Sequence, residues 1–291
     1  MGKRTTPLLG AHMSIAGGLE KSVQRARQAT CDCLQLFTKN NNQWRARELD
    51  EAEAERFRSA LIQENITAPI AHSSYLINLA SPDPALWKKS VDAFIEELLR
   101  IEKLGIRYLV QHPGAFTTSS EAEGLKRIAQ ALDEADRQTV DLAAGCLLEN
   151  TAGQGSNLGW KFEHLAWILD HVQNPDRLGI CIDTCHAFAA GYPMQTRKDY
   201  LATIRQLNQT VGTEVVKAFH LNDSKREFGS RVDRHDHIGQ GHLGTEPFRH
   251  LLNDRRFRAV PMYLETPKGN DPESGEDWDL INLRILRDLV G

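Results

Sequence analysis

Several features are scarce or missing in this sequence, and each absence narrows the reading. No apolar run approaches the roughly 18–20 residues a membrane span needs. The apolar run near the start is too short for a signal-peptide core. A cytoplasmic protein with no membrane partner is therefore expected. Cysteine is limited to Cys31, Cys33, Cys146, Cys181 and Cys185. An odd number, scattered through apolar runs, argues against a disulfide framework. The pairs Cys31/Cys33 and Cys181/Cys185 would each share one face of a strand, so they read as small buried hydrophobes rather than thiolate ligands. A basic excess is missing too. The formal net charge is −4, whereas nucleic-acid binders usually carry a positive footprint. No Gly-x-Gly-x-x-Gly turn follows the first apolar run, which weighs against an open dinucleotide-binding sheet. No linker or low-complexity stretch divides the chain.

What is present is alternation. Short apolar runs occur at Leu8–His12, Cys33–Thr38, Ala68–Ser73, Tyr108–His112, Cys146–Glu149, Gly179–Asp183, Val215–His220 and Pro261–Glu265. Their lengths suit buried parallel strands. Between and after them, Leu19–Ala29, Glu48–Glu64, Pro84–Leu104, Glu121–Ala135, Phe162–His171, Arg197–Thr210, Glu246–Leu252 and Asp277–Leu289 carry apolar residues at three- and four-residue spacing. Ser81-Pro82-Asp83-Pro84 and Ser119-Ser120-Glu121 supply helix-start chemistry. Eight strand–helix units in 291 residues predict an α/β fold, a single (β/α)8 TIM barrel, as one domain over residues 1–291.

The strand ends carry the chemistry. Successive runs end at His72, His112, Glu149, Asp183, His220 and Glu265, and His186 follows Asp183 by one helical turn. The segment after the seventh run adds Asp233, His235 and His237. In a barrel the C-terminal strand ends form one rim, so these side chains are expected in one pocket. Clustered carboxylates without cations repel and are costly to desolvate. Imidazole with carboxylate oxygen, without thiolate, suits Zn²⁺ or Mn²⁺. A catalytic zinc usually takes about three protein ligands. So many donors suit a multinuclear cluster, the kind that clamps phosphate oxygens during in-line displacement.

Longer segments add a family resemblance. Ala71-His72-Ser73-Ser74-Tyr75-Leu76-Ile77-Asn78-Leu79, Glu149-Asn150-Thr151-Ala152-Gly153-Gln154-Gly155, Gly179-Ile180-Cys181-Ile182-Asp183-Thr184-Cys185-His186-Ala187-Phe188, and His220-Leu221-Asn222-Asp223-Ser224-Lys225 running on to Gly229-Ser230-Arg231-Val232-Asp233-Arg234-His235 resemble the endonuclease IV family of apurinic/apyrimidinic (AP) endonucleases. The resemblance implies a three-zinc barrel. His72, His112 and Glu149 would hold one ion. Glu149 would bridge to a second ion, which Asp183, His220 and Glu265 complete. His186, Asp233 and His235 would hold the third, with Mn²⁺ as an alternative in one site. His237 matches no ligand position and reads as a surface or supporting residue. The implied substrate is double-stranded DNA with abasic sites or blocked 3′ ends. The implied reaction is hydrolysis of the phosphodiester 5′ to the abasic site, leaving a 3′-hydroxyl and a 5′-deoxyribose phosphate, together with removal of 3′ blocking groups. Glu149 and Glu265 would be the catalytic carboxylates.

The resemblance also names DNA contacts. Tyr75 and Leu76 match inserted residues. Thr38 to Arg45 resembles a DNA-contact loop, in which Asn42 stands where a family member carries an inserting Arg. Lys39 and Arg45 would then contact phosphate, and Arg231, beside two of the implied ligands, would add a local basic group toward DNA. Three Zn²⁺ would bring the charge of −4 to about +2, so metal would supply much of the DNA-facing potential. A monomer is expected. The competing reading is a sugar isomerase or epimerase on the same barrel, which predicts fewer ligands and one or two ions. A non-catalytic damage-binding protein would need no metal cluster.

Overall fold

The computed structural model describes residues 6–291; the first five residues of the expected domain lie outside them. The strands are β1 (Leu9–Met13), β2 (Cys33–Phe37), β3 (Thr67–His72), β4 (Tyr108–Gln111), β5 (Gly145–Glu149), β6 (Leu178–Asp183), β7 (Val216–His220), β8 (Asp223–Ser224), β9 (His235–Asp236) and β10 (Met262–Leu264). The helices are α1 (Leu19–Gln28), α2 (Glu51–Gln63), α3 (Pro84–Lys103), α4 (Glu121–Gln138), α5 (Phe162–His171), α6 (Thr184–Ala190), α7 (Arg197–Thr210), α8 (Glu246–Leu252) and α9 (Trp278–Asp288). Strands β1 to β7 and β10 close into a parallel barrel in which β10 joins β7 to β1, while β8 and β9 form a separate antiparallel ribbon.

The helix starts follow local chemistry. The Asp83 carboxylate accepts from the N–H groups of Ala85 and Leu86 at 2.8 and 3.0 Å, with Pro84 in the first turn. Ser120 accepts from Glu123 N–H at 3.3 Å. Such caps satisfy donors that a helix leaves unpaired, each worth about 1 kcal/mol. The second helix starts at Glu51 rather than Glu48, because Asp50 caps it by accepting from Glu53 N–H at 2.7 Å. Two elements were absent from the sequence reading. Helix α6 is too short for a clear period, and each strand of the β8–β9 ribbon has only two residues.

The barrel lumen is apolar. Cys33, Ile70, Val110, Leu147, Cys181, Ala218 and Tyr263 form one buried layer, drawn from seven of the eight barrel strands. The eighth, β1, contributes Gly10 beside Cys33 and Tyr263. A Cβ on Gly10 would lie 1.9 Å from the Cys33 carbonyl oxygen, so only glycine allows the strands to approach there. The Tyr263 hydroxyl crosses the lumen and donates to the Ala68 carbonyl at 2.6 Å. A larger cluster, including Phe57, Phe94, Phe219 and Phe248, packs the barrel against its helices. The layer beneath the rim is therefore buried and largely apolar. Among the described residues no helix is long and apolar enough to cross a membrane.

All five cysteines are free and buried. Cys33 and Cys181 lie on the lumen face as strand periodicity predicts, but Cys31 precedes β2 and Cys185 belongs to α6. Neither of the expected pairs shares a strand face. Burial pushes the Cys31, Cys181 and Cys185 thiols up to about 12, so they stay protonated near neutral pH.

Candidate metal centre

The C-terminal strand ends converge as the parallel topology requires. Glu149, at the end of β5, is fully buried and lies at the centre. Its Oε2 is 3.2 Å from His72 Nε2 and 3.1 Å from His112 Nε2. Its Oε1 is 3.0 Å from His220 Nδ1 and 3.2 Å from His186 Nδ1. His220 Nδ1 also lies 3.2 Å from Glu265 Oε2 and 3.9 Å from Asp183 Oδ2. On the far side, Asp233 reaches His186 Nε2 at 3.1 Å and His235 Nε2 at 3.2 Å. The structure thus brings together His72, His112, Glu149, Asp183, His186, His220, Asp233, His235 and Glu265. Their donor atoms fall into overlapping groups, His72/His112/Glu149, Glu149/Asp183/His220/Glu265 and Asp183/His186/His235, with Asp233 and His235 also grouped with the Cys185 sulfur. Asp183 therefore stands between the second and third groups, much as Glu149 stands between the first and second.

Local structure explains the placement of the third group. The Asp183 carboxylate caps α6 by accepting from His186 N–H at 2.7 Å. One short helix turn then turns His186 back toward the carboxylate that starts it. The β8–β9 ribbon carries His235 in and leaves Asp233 just before it. Asp223 anchors this excursion by accepting from the N–H groups of Ser224, Gly239, Gly241 and Leu243 at 2.7 to 3.1 Å.

The donors are held from behind. His72 Nδ1 pairs with the Ser73 carbonyl at 2.8 Å, and His235 Nδ1 with the Glu265 carbonyl at 3.2 Å, leaving each Nε2 facing the cluster. The Asn222 amide donates to Asp183 Oδ2 at 2.6 Å, and its carbonyl accepts from Glu265 N–H at 2.9 Å. Such outer partners fix ring orientation in metal sites. The donors are mainly nitrogen and oxygen, with the Cys185 thiol held protonated by burial, and donors overlapping and braced in this way fit divalent ions of the zinc type.

The charge balance agrees. Burial alone disfavours the charged form of every group here. For His72 and His186 the facing carboxylates outweigh burial and raise the pKa, and for His220 the neighbouring Cys181 sulfur, followed by Glu265 and Glu149, does the same. The same contest pushes His235 up to about 9. Burial likewise opposes ionisation of Glu149, Glu265 and Asp233, but the neighbouring imidazoles hold all three below the usual carboxylate range. Among the described residues no Lys or Arg pairs with these carboxylates. Divalent cations bound by the same atoms would balance them.

The residues expected at DNA fare differently. Tyr75 is 60% exposed, with its ring 5.5 Å from that of His72 and 6.3 Å from that of His112. Leu76 beside it is half-buried. Asn42 and Arg45 are exposed, and Asn42 N–H donates to Asn40 Oδ1 at 2.9 Å within the loop. Arg231 is exposed and stacks its guanidinium 3.6 Å above the Trp160 ring. Lys39 is a correction. Its side chain is only 4% exposed, and its ammonium donates to the Gln43 and Trp44 carbonyls at 2.9 and 3.0 Å beside Glu97. It braces the loop from within. His237 stacks on Trp278 with ring centroids 3.8 Å apart and lies outside the cluster.

Several supporting residues escaped the sequence reading. Gln35, His12, Asn150 and Asn222 carry no charge signal, although Asn150 and Asn222 adjoin Glu149 and Asp223 in the quoted motifs. Glu97, inside α3, accepts from Thr38 Oγ1 at 2.7 Å and from Ser74 N–H at 3.3 Å, so it ties the loop after β2 to the loop after β3.

Comparison with known proteins places this arrangement. A family described as xylose isomerase-like TIM barrel matches residues 23–288. A probable endonuclease 4 from Trichlorobacter lovleyi is 49% identical over 281 residues, covering 97% of this chain and 99% of the relative. The crystal structure of endonuclease IV from Thermus thermophilus superposes with a TM-score of 0.84 at 36% identity, covering 97% of this chain and 98% of that one. A D-tagatose 3-epimerase-like protein superposes at 0.73 with 18% identity, covering 97% and 96%, and shows the shared barrel alone. With full-length identity at this level beside the converged rim, the chain belongs to the endonuclease IV family.

Proposed function

We propose that this barrel, as one unit over residues 1–291, is an AP endonuclease of DNA base excision repair. It hydrolyses the phosphodiester 5′ to an abasic site, giving a 3′-hydroxyl and a 5′-deoxyribose phosphate, and it clears blocked 3′ ends. The observation that carries the reading is the rim cluster, whose five imidazoles and four carboxylates exceed what one ion needs. The epimerase alternative asks for fewer donors and leaves the third group unexplained.

His72, His112 and Glu149 would hold one zinc ion. Glu149, Asp183, His220 and Glu265 would hold a second, and His186, Asp233 and His235 a third, with Mn²⁺ able to replace one. Bound divalent ions supply Lewis-acid polarisation of a phosphoryl oxygen and a water acidified toward neutrality. The chain supplies placement. Glu149 and Glu265 face each other across His220 Nδ1 at 3.0 and 3.2 Å, where they can orient the attacking water and accept its proton. The apolar layer below excludes other water. An abasic nucleotide has no base to unstack, so extruding it costs little, and this favours damaged over intact DNA. Tyr75 and Leu76, beside the first donor group, fill the gap in the stack. Asn42, Arg45 and Arg231 face the duplex from the surrounding loops. The enzyme acts as a monomer in the cytoplasm.

The test is incision of a duplex holding one tetrahydrofuran abasic analogue, which resists β-elimination. Zinc-replete protein should cut on its 5′ side and leave a 3′-hydroxyl. Intact duplex after prolonged incubation would remove the proposal. Release of a 3′-phosphoglycolate from a nicked duplex tests the end-cleaning activity in the same way.

A further inference from the structure

Gln35 lies in the middle of β2, fully buried, with its side chain under the rim. Its carboxamide touches three ionisable groups at once. Oε1 lies 2.8 Å from His220 Nε2. Nε2 lies 2.5 Å from Glu265 Oε1 and 3.0 Å from His12 Nδ1. An ionised carboxylate only accepts hydrogen bonds, so the amide nitrogen must face Glu265. The amide oxygen must then face His220, and His220 Nε2 must carry the proton. The second amide hydrogen points to His12 Nδ1, which accepts only if that ring nitrogen is bare. The orientation of one neutral amide is thereby settled by three partners on β1, β7 and the end of β10.

The consequence is directional. With its Nε2 occupied, His220 presents Nδ1 to Glu149 and Glu265, at 3.0 and 3.2 Å. With Oε1 occupied, Glu265 presents Oε2 to the same space. Two of the four donors of the second group, His220 and Glu265, are therefore aimed by Gln35. An uncharged partner does this without adding another charge to a pocket already dense with them.

We propose that Gln35 is a positioning residue that sets the tautomer of His220 and the rotation of the Glu265 carboxylate, and thereby fixes affinity for the second of the three ions. This rests on the metal assignment proposed above. An amide suits the task because it donates to one ligand and accepts from the other. Gln35→Met keeps length and removes both bonds. Gln35→Glu keeps an acceptor for His220 but turns an oxygen toward Glu265.

The test compares zinc-loaded wild type, Gln35→Met and Gln35→Glu by zinc retained per chain across a chelator series, and by ¹⁵N shifts of the His220 ring. Wild type should show Nε2 protonated and hold its full complement. Gln35→Met should release one ion about 10–100-fold more readily, the usual scale for losing an outer partner of a metal ligand, and should lose the fixed tautomer. Gln35→Glu should release the same ion while keeping the His220 tautomer. A Gln35→Met protein that matches wild type in both readouts would overturn the inference alone. A wild-type His220 protonated on Nδ1 would do so without any variant, should the substitutions impair folding. A wild type that binds no zinc overturns the metal assignment as well.

Discussion

The two ends of the barrel balance partly or fully buried charge in opposite ways. At the N-terminal end, Arg177 donates to the Ala144 and Thr139 carbonyls and pairs with Asp136 at 2.8 Å. The Arg177 guanidinium there has both an opposite charge and carbonyl acceptors. At the C-terminal end, the carboxylates and imidazoles of the metal centre are packed within contact of one another, and among the described residues neither Lys nor Arg pairs with them. That arrangement is complete only with protons or cations added. One end is built for the fold, whereas the other keeps its electrostatic balance open for a cofactor and an anionic substrate. The placement of barrel active sites at strand C-termini follows the same division.

Substitutions at the two ends should therefore separate activity from stability. The largest effect is expected from Glu265→Gln, which removes a rim carboxylate without changing shape. Single-turnover incision of the abasic duplex should fall about 10³-fold, the scale of losing a principal transition-state interaction, while DNA affinity stays within a few-fold. Equal loss of affinity would assign Glu265 a structural rather than catalytic part. Arg177→Ala should do the reverse. Unfolding in urea should show a loss of about 2 kcal/mol, from carbonyls left without donors, with incision nearly unchanged at 25 °C. A collapse of incision with unchanged stability would erase the contrast. The smallest effect is expected from Asn42→Arg. An added cation on this exposed loop should tighten abasic-duplex binding by about threefold to tenfold at low salt, and the gain should fade as salt rises. Affinity that does not move would remove the loop from the interface.

The same contrast explains what the sequence disclosed. The rim was legible because ionisable residues closed six apolar runs in phase, and in a parallel barrel that phase becomes a single location. His186 was legible through its spacing from Asp183, although the α6 helix that carries it was not. Gln35 and His12 were hidden, since a neutral amide and a single histidine inside apolar strands look like core. Lys39 misled for the opposite reason: a cation in a polar loop suggests a solvent-facing contact, and the sequence does not reveal that the loop folds back over it. Strand limits moved by a residue or so, as at Leu9–Met13 against the expected Leu8–His12. The ladder's hydrogen bonds set those limits, and apolar character does not mark them.

The central claim is that the unbalanced rim is a three-ion site. Native mass spectrometry of the purified protein, with elemental analysis to identify the metal, tests it most directly. Three zinc-type ions per chain are expected, removed by chelation together with incision and restored together on adding zinc back. A protein that incises abasic DNA fully with one ion or none per chain would contradict the account.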